Sequence, residues 1–323
     1  MIIVTGGAGF IGSCLVKTLN NLGEENILIV DNLGNDEKWK NCRKLRFRKI
    51  ILIKEFNELI NKNAFKEKIQ VIFHLGANSS TTEKDADSLI KNNTEFTKKL
   101  IIFSINNNIK LIYASSASVY GAGDLGYDDS DEITHKLIPL NMYGFSKKLV
   151  DEWLIKNKLT NKVIGLRFFN VYGPNEYHKG EQQSIAKKGF DQIKKYGKMF
   201  LFKSYNENYK DGDFKRDFIY VKDAVEVMLF FWKNTKINGV FNVGTGQARS
   251  WNNLAKSIFN ALELKPKIVY KEMPEEIRRH YQYFTEAKMD KLRKVGYKKP
   301  FFSLEEGIKD YVQNYLMKED QYF

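Results

Sequence analysis

Ile2-Ile3-Val4-Thr5-Gly6-Gly7-Ala8-Gly9-Phe10-Ile11-Gly12 is the stretch on which the fold of this chain turns. A short apolar run ends in a glycine cluster, and from residue 10 to residue 22 apolar residues recur at helical spacing. Gly7, Gly9 and Gly12 satisfy G-x-G-x-x-G, while Gly6, Gly9 and Gly12 satisfy the variant G-x-x-G-x-x-G. Between a strand and a helix, such glycines permit a tight turn, let backbone approach a pyrophosphate, and let helix and strand pack closely. The free N–H groups of the helix start then face the phosphates. A second apolar run, Ile27–Val30, ends at Asp31, where a carboxylate can bond an adenosine ribose.

Working outward, Val71–His74 and residues 111–114 and 163–168 are again short, apolar and rich in β-branched residues, as strands buried on both faces would be. Helical stretches, such as residues 83–106 and 143–157, lie between them. The alternation predicts an α/β fold with a doubly wound parallel sheet of the Rossmann kind. After Gly173-Pro174 the chain turns polar and basic, predicting a smaller α/β substrate lobe at the C-terminal side. The expected division gives residues 1–173 to the dinucleotide-binding domain, with returns to the sheet near 215–245. Residues 174–214 and 246–323 would then form mainly the substrate lobe.

Composition narrows the function. With 323 residues, 43% hydrophobic and 28% charged, wholesale disorder is excluded. No apolar run approaches the roughly 18–20 residues that span a bilayer, so no membrane partner is expected. The N-terminus carries no basic segment, which argues against a secretory signal. Two cysteines, Cys14 and Cys42, and four histidines exclude a disulfide scaffold and a zinc cluster, so no metal is expected and a reducing cytoplasm is. The net charge of +13 comes from 43 Lys and 9 Arg spread along the chain. Base readout leans on Arg, and nucleic-acid binders cluster their charge. The excess is therefore read as a solvated lysine surface, part of which steers an anionic small molecule.

Tyr143-Gly144-Phe145-Ser146-Lys147 puts a phenol and an ammonium four residues apart on one helical face. The ammonium is expected to lower the tyrosine's pKa so that it can act as a base. Tyr113-Ala114-Ser115-Ser116 carries a serine to the C-terminal end of a buried strand, where ligands sit in open α/β sheets.

TGGAGFIG, YASSASVYG (from Tyr113), YGFSK and RFFNVYGP (from Arg167) occur in this order. Together they resemble the short-chain dehydrogenase/reductase superfamily in its extended, nucleotide-sugar-modifying branch. The resemblance implies Ser116, Tyr143 and Lys147 as the catalytic set. Dehydratases of this branch carry an acidic pair just after the catalytic Ser/Thr. Here those positions are Ala117 and Ser118, which leaves epimerases and reductases.

HLGANSSTTE (from His74), NEYHKG (from Asn175), KRDF (from Lys215) and YQYFT (from Tyr281) are similar to the ADP-L-glycero-D-manno-heptose 6-epimerase family. That resemblance implies inversion at C6 of an ADP-heptose through transient oxidation by bound NADP, with NAD as the other candidate. The product is a precursor of the lipopolysaccharide inner core. Another nucleotide-sugar epimerase or reductase, such as a UDP-hexose 4-epimerase, is the alternative. Lys179 would be the second acid/base group beside Tyr143. Gly6, Gly9, Phe10, Ile11, Gly12, Asp31, Asn32, Lys38, Lys54, Leu75, Gly76, Ala77, Asn78, Ser79, Asn92, Lys147, Val171 and Lys179 would hold the cofactor. Ser116, Asn170, Phe202, Arg216 and Tyr281 would hold the sugar nucleotide. The positions occupied here by Glu181 and Lys188, where the family often has Ser and His, would also face it. A homo-oligomer, pentamer or dimer, is implied as well. Two residues keep a structural alternative: Arg216 could pair with Asp213 or Asp217, and His74 reads best as a packed pocket wall.

Overall fold

The computed structural model describes residues 1–278 and 281–323. Its strands are β1 (Ile2–Thr5), β2 (Ile27–Val30), β3 (Lys49–Ile51), β4 (Val71–His74), β5 (Lys110–Ser116), β6 (Ile164–Phe168), β7 (Asn170–Tyr172), β8 (Met199–Phe202), β9 (Lys215–Tyr220), β10 (Gly239–Val243), β11 (Ala248–Ser250) and β12 (Ile268–Lys271). The longer helices are α1 (Phe10–Asn21), α2 (Ile53–Asn61), α3 (Phe96–Asn106), α4 (Met142–Lys156), α5 (Ile185–Tyr196), α6 (Val221–Lys233), α7 (Trp251–Ala261) and α8 (Leu304–Tyr311).

Seven strands make the central sheet, in the order β3-β2-β1-β4-β5-β6-β10, with every neighbouring pair parallel. Val4 sits between Ile29 and Phe73 in register. The unbroken apolar strands follow from burial on both faces. Ile2 and Val4 join the layer built with Leu15, Val16 and Leu19 of α1 and Val227 and Met228 of α6. Ile3, between them, belongs to the opposite layer with Leu100, Ile101, Val150 and Leu154 of α3 and α4. The order reverses between β1 and β4, and the crevice outside their C-terminal ends is where an open α/β sheet takes its ligand.

One expectation is corrected. Residues 215–220 do not return to the central sheet. β9 pairs parallel with β7 and antiparallel with β11 in a separate three-stranded sheet, and β10 alone fills the seventh place. The cause is a bend at Phe169, whose N–H donates to Val243 O at 3.0 Å while Val171 N–H donates back to Phe169 O at 2.8 Å. This turns β7 away from the line of β6, so β9 follows β7. β8 and β12 form a third, parallel pair. No helix among the described residues is long and apolar enough to cross a membrane.

Candidate active site

A cavity of about 1100 Å³ runs along the C-terminal edge of the central sheet. Its floor is the glycine turn. Gly6 lies in the left-handed region (φ 68°), and a Cβ there would meet the Gly76 backbone at 2.6 Å. A Cβ at Gly12 would meet Gly6 O at 2.1 Å. The turn therefore closes only around glycine, and α1 starts with no side chain capping its first N–H groups. Uncapped N–H groups under a cavity of this size fit a dinucleotide pyrophosphate. Gly6, Gly9, Phe10, Ile11 and Gly12 all line it.

At the other end of the turn, Asp31 Oδ2 accepts Ala8 N–H at 3.0 Å and Oδ1 accepts Lys38 Nζ at 3.0 Å. The carboxylate thus braces the turn and is neutralised by a lysine that also lines the cavity. Lys40, two residues further on, is bound to Glu37. Asn32, Leu75, Gly76, Ala77, Asn78, Ser79, Asn92 and Val171 line the same cavity. Lys54 does not; from the same helix, Ile53 and Asn57 do.

Asn141 accepts Gly144 N–H at 2.8 Å and so fixes the start of α4, which sets Tyr143 in its first turn and Lys147 one turn later. A Cβ at Gly144 would meet Ser118 O at 2.5 Å, so this glycine lets α4 press against the turn that follows β5. Ser116, Tyr143 and Lys147 consequently line one wall. Lys147 Nζ donates to Ala114 O at 2.8 Å and lies 6.0 Å from the Tyr143 ring centre. Burial, opposed by Asp151, brings its pKa down to about 8. The Tyr143 phenol differs from expectation. Burial raises its pKa, and the opposing influence is the Ser116 hydroxyl rather than the ammonium. Lys147 is engaged by a backbone carbonyl, and desolvation of the phenol outweighs its field at that distance.

Lys179 reaches the same cavity from the segment after β7, its ammonium 5.5 Å from the Phe10 ring centre. Burial lowers its pKa, against the raising influence of Glu176. Asn170 and His178 line the cavity nearby. His74 does not line the cavity but packs behind Thr5, which does: it is 2% exposed, with Nδ1 on Thr5 Oγ1 at 2.7 Å and Nε2 on Thr97 Oγ1 at 2.8 Å. Burial, assisted by Lys147, lowers its pKa to about 3, so it is neutral.

Phe202, Arg216, Tyr281, Glu181 and Lys188 do not line this cavity. Arg216 has neither of the ion pairs weighed for it. Asp217 instead accepts from Thr245, Gly246 and Ala287, and Asp213 from Asn252. The Arg216 guanidinium lies 5.3 Å from the Tyr281 ring centre and 5.7 Å from that of Trp251, and it donates to Lys215 O and Gln282 O. Glu181 and Lys188 pair with each other at 3.0 Å. The two departures from the family pattern thus compensate one another at the surface.

Sequence reasoning missed two contributors. Trp251 lines the cavity and donates Nε1–H to the Tyr281 hydroxyl oxygen at 3.1 Å, connecting the cavity wall to Arg216. Asp151 accepts from Arg167 Nε at 2.9 Å, from Tyr113 at 2.8 Å and from Ser115 at 3.0 Å, locking α4 to β5 and β6. Its signal was present, because Tyr143, Lys147 and Asp151 repeat at intervals of four along one helix face.

The sequence pattern described as NAD dependent epimerase/dehydratase family matches residues 2–244. A Fusobacterium nucleatum protein named ADP-L-glycero-D-manno-heptose-6-epimerase is 49% identical over the full length of both chains. One of the same name from Nitratidesulfovibrio vulgaris is 47% identical, again over the full length of both. Among solved structures, the Helicobacter pylori ADP-L-glycero-D-manno-heptose-6-epimerase superposes with a TM-score of 0.79 at 29% identity, covering 97% of this chain and 95% of that one.

Proposed function

We propose, from the premise that the chain belongs to the NAD dependent epimerase/dehydratase family, that it inverts C6 of an ADP-heptose, converting ADP-D-glycero-D-manno-heptose to the L-glycero epimer. The observation that carries the reading is the presence of two acid/base candidates, Tyr143 and Lys179, in one cavity from different parts of the chain. Full-length relatives named for this activity support it.

The C6 proton of the heptose is not acidic, so inversion needs a ketone rather than a carbanion. A nicotinamide dinucleotide, held by the glycine turn, Asp31, Lys38 and Lys147, supplies reversible two-electron oxidation at C6 when bound. This chain's residues manage the proton. Ser116 orients the C6 oxygen, and Tyr143 takes or returns the hydroxyl proton on one side of the reaction. Lys179 does so on the other, and its burial lowers its pKa in the direction a general base requires. Lys147, anchored on Ala114 O, holds its charge beside the phenol. Arg216, with no carboxylate partner among the described residues, is assigned to the diphosphate, which guanidinium binds bidentately. The substrate lobe is assigned mainly to residues 174–214 and 246–323.

NADP is the proposed cofactor, because Lys38 neutralises Asp31 where a 2′-phosphate would lie. Mass spectrometry of the nucleotide released from purified protein checks this, and NAD alone would overturn it. The epimerase assignment is tested by NMR of ADP-D-glycero-D-manno-heptose incubated with the protein and no added cofactor. An equilibrium mixture of epimers is expected. No conversion, with NADP⁺ or NAD⁺ added as well, would overturn it. A homo-oligomer working in the cytoplasm completes the proposal, and light scattering checks the assembly.

A further inference from the structure

The side chain of Asn41 stands where three parts of the site meet. It is 2% exposed. Its Nδ2 donates to Ala8 O in the glycine turn at 2.9 Å and to Asn175 O at 3.1 Å, and it lies 3.3 Å from His178 Nδ1. Two backbone carbonyls can accept only from the NH₂ end, so the amide orientation is fixed. Both amide hydrogens are committed to these carbonyls, so the His178 ring is a neighbour of the amide rather than a third acceptor. Burial lowers the His178 pKa.

Ala8 is consequently held through both of its backbone groups, its N–H by Asp31 and its C=O by Asn41. On the far side, Asn175 is fully buried in the left-handed region (φ 74°), with Nδ2 on Ser13 Oγ at 2.9 Å. The segment it begins leads directly to His178 and Lys179. Asn41 Oδ1, buried, has no partner among the described residues. An unpaired buried acceptor costs stability, and an apolar residue would avoid that cost at a site needing only to be filled. The amide is retained for its two donors.

We propose that Asn41 is a positioning residue, tying the glycine turn to the His178–Lys179 segment so that Lys179 is held over Phe10 at the reacting carbon. The inference rests on the epimerase reading above. It states that Asn41 acts through Lys179, and a residue that merely filled space would not.

The test is a double-mutant cycle with Asn41→Leu and Lys179→Met, followed by NMR on ADP-D-glycero-D-manno-heptose. Melting curves and nucleotide content serve as controls for folding and cofactor loading. Asn41→Leu is expected to lower kcat at least tenfold with KM within threefold. In the Lys179→Met background the same change is expected to cost less than threefold, because coupled residues are non-additive. Equal losses in both backgrounds, or a folded Asn41→Leu protein with wild-type kcat, would overturn the inference. Should Asn41→Leu not fold, Asn41→Ser, which keeps one donor, is put through the same cycle; the same coupling is expected, and additive losses or unchanged kcat overturn the inference. Wild-type protein without turnover would overturn the epimerase reading and this inference with it. Wild-type turnover with additive losses would overturn this inference alone.

Discussion

Arg167 on β6 and Arg216 on β9 are both buried, at 0% and 7% exposed, and the molecule surrounds them in opposite ways. Arg167 meets Asp151 at 2.9 Å, the Tyr120 hydroxyl at 3.0 Å and Thr134 Oγ1 at 2.9 Å, so all three guanidinium nitrogens are occupied. Arg216 meets two backbone carbonyls and two aromatic faces, and no carboxylate among the described residues. Burying a charge is costly unless it is paired. The first arrangement satisfies the charge within the chain and makes framework. The second leaves the charge without a carboxylate among the described residues, and this is the premise of the diphosphate role proposed for it.

The largest effect should come from breaking the satisfied site. Arg167→Met strands Asp151 in the interior and is expected to cost about 3–5 kcal/mol of stability, measured by urea unfolding. Activity should fall only as far as α4 shifts. Lys147 is an intermediate case, buried with a carbonyl as its hydrogen-bond partner and Asp151 nearby. Its pKa is depressed to about 8 from 10.5, so between those values the unfolded chain binds more protons than the folded one. Stability therefore rises with pH through that window and is lost as pH falls through 8. Relative to Lys147→Met, the wild type should gain up to about 3 kcal/mol from pH 8 to 10.5, at about 1.36 kcal/mol per unit. Parallel stability–pH curves for the two proteins would refute the burial argument.

Arg216→Met should leave melting unchanged or raise it, since no ion pair is broken. KM for the sugar nucleotide should rise about 10- to 100-fold, the equivalent of about 1.5–3 kcal/mol for a lost charged hydrogen bond. A stability loss as large as that of Arg167→Met would dissolve the contrast. The smallest effect belongs to Glu181→Gln with Lys188→Gln. That pair is exposed on its acidic side, and removing it should leave melting and kcat unchanged, because surface ion pairs contribute little.

Legibility from sequence followed the same division between local and distant contacts. β1, the glycine turn, α1 and Asp31 form one continuous unit whose spacing carries its meaning, so fold and cofactor cradle could be read together. Tyr143 and Lys147 were legible for the same reason, and Asp151 stood one further turn along. β9 was not legible. A strand with an apolar half reads the same whether it joins the main sheet or a small one, and the bend at Phe169 that decides the matter is set by a contact with Val243. The Glu181–Lys188 pair was hidden because Gln183 and Ser184, both extended, break the helical spacing between Glu181 and the helix that carries Lys188. Trp251 and Asn41 carry no motif, and they matter only through what the fold brings beside them.

The late arrival of β10 bears on how the molecule is made. During synthesis the first six strands can pair as they emerge, but β6 presents an open hydrogen-bonding edge until residues 239–243 are available. That edge is apolar and unprotected, the kind of template on which neighbouring chains pair wrongly. β7 and β9, which lie between, are diverted into their own small sheet rather than competing for the place. The separation of the two sheets thus keeps the seventh position free for the strand that closes it, and the yield of native protein should depend on how quickly that closure follows translation.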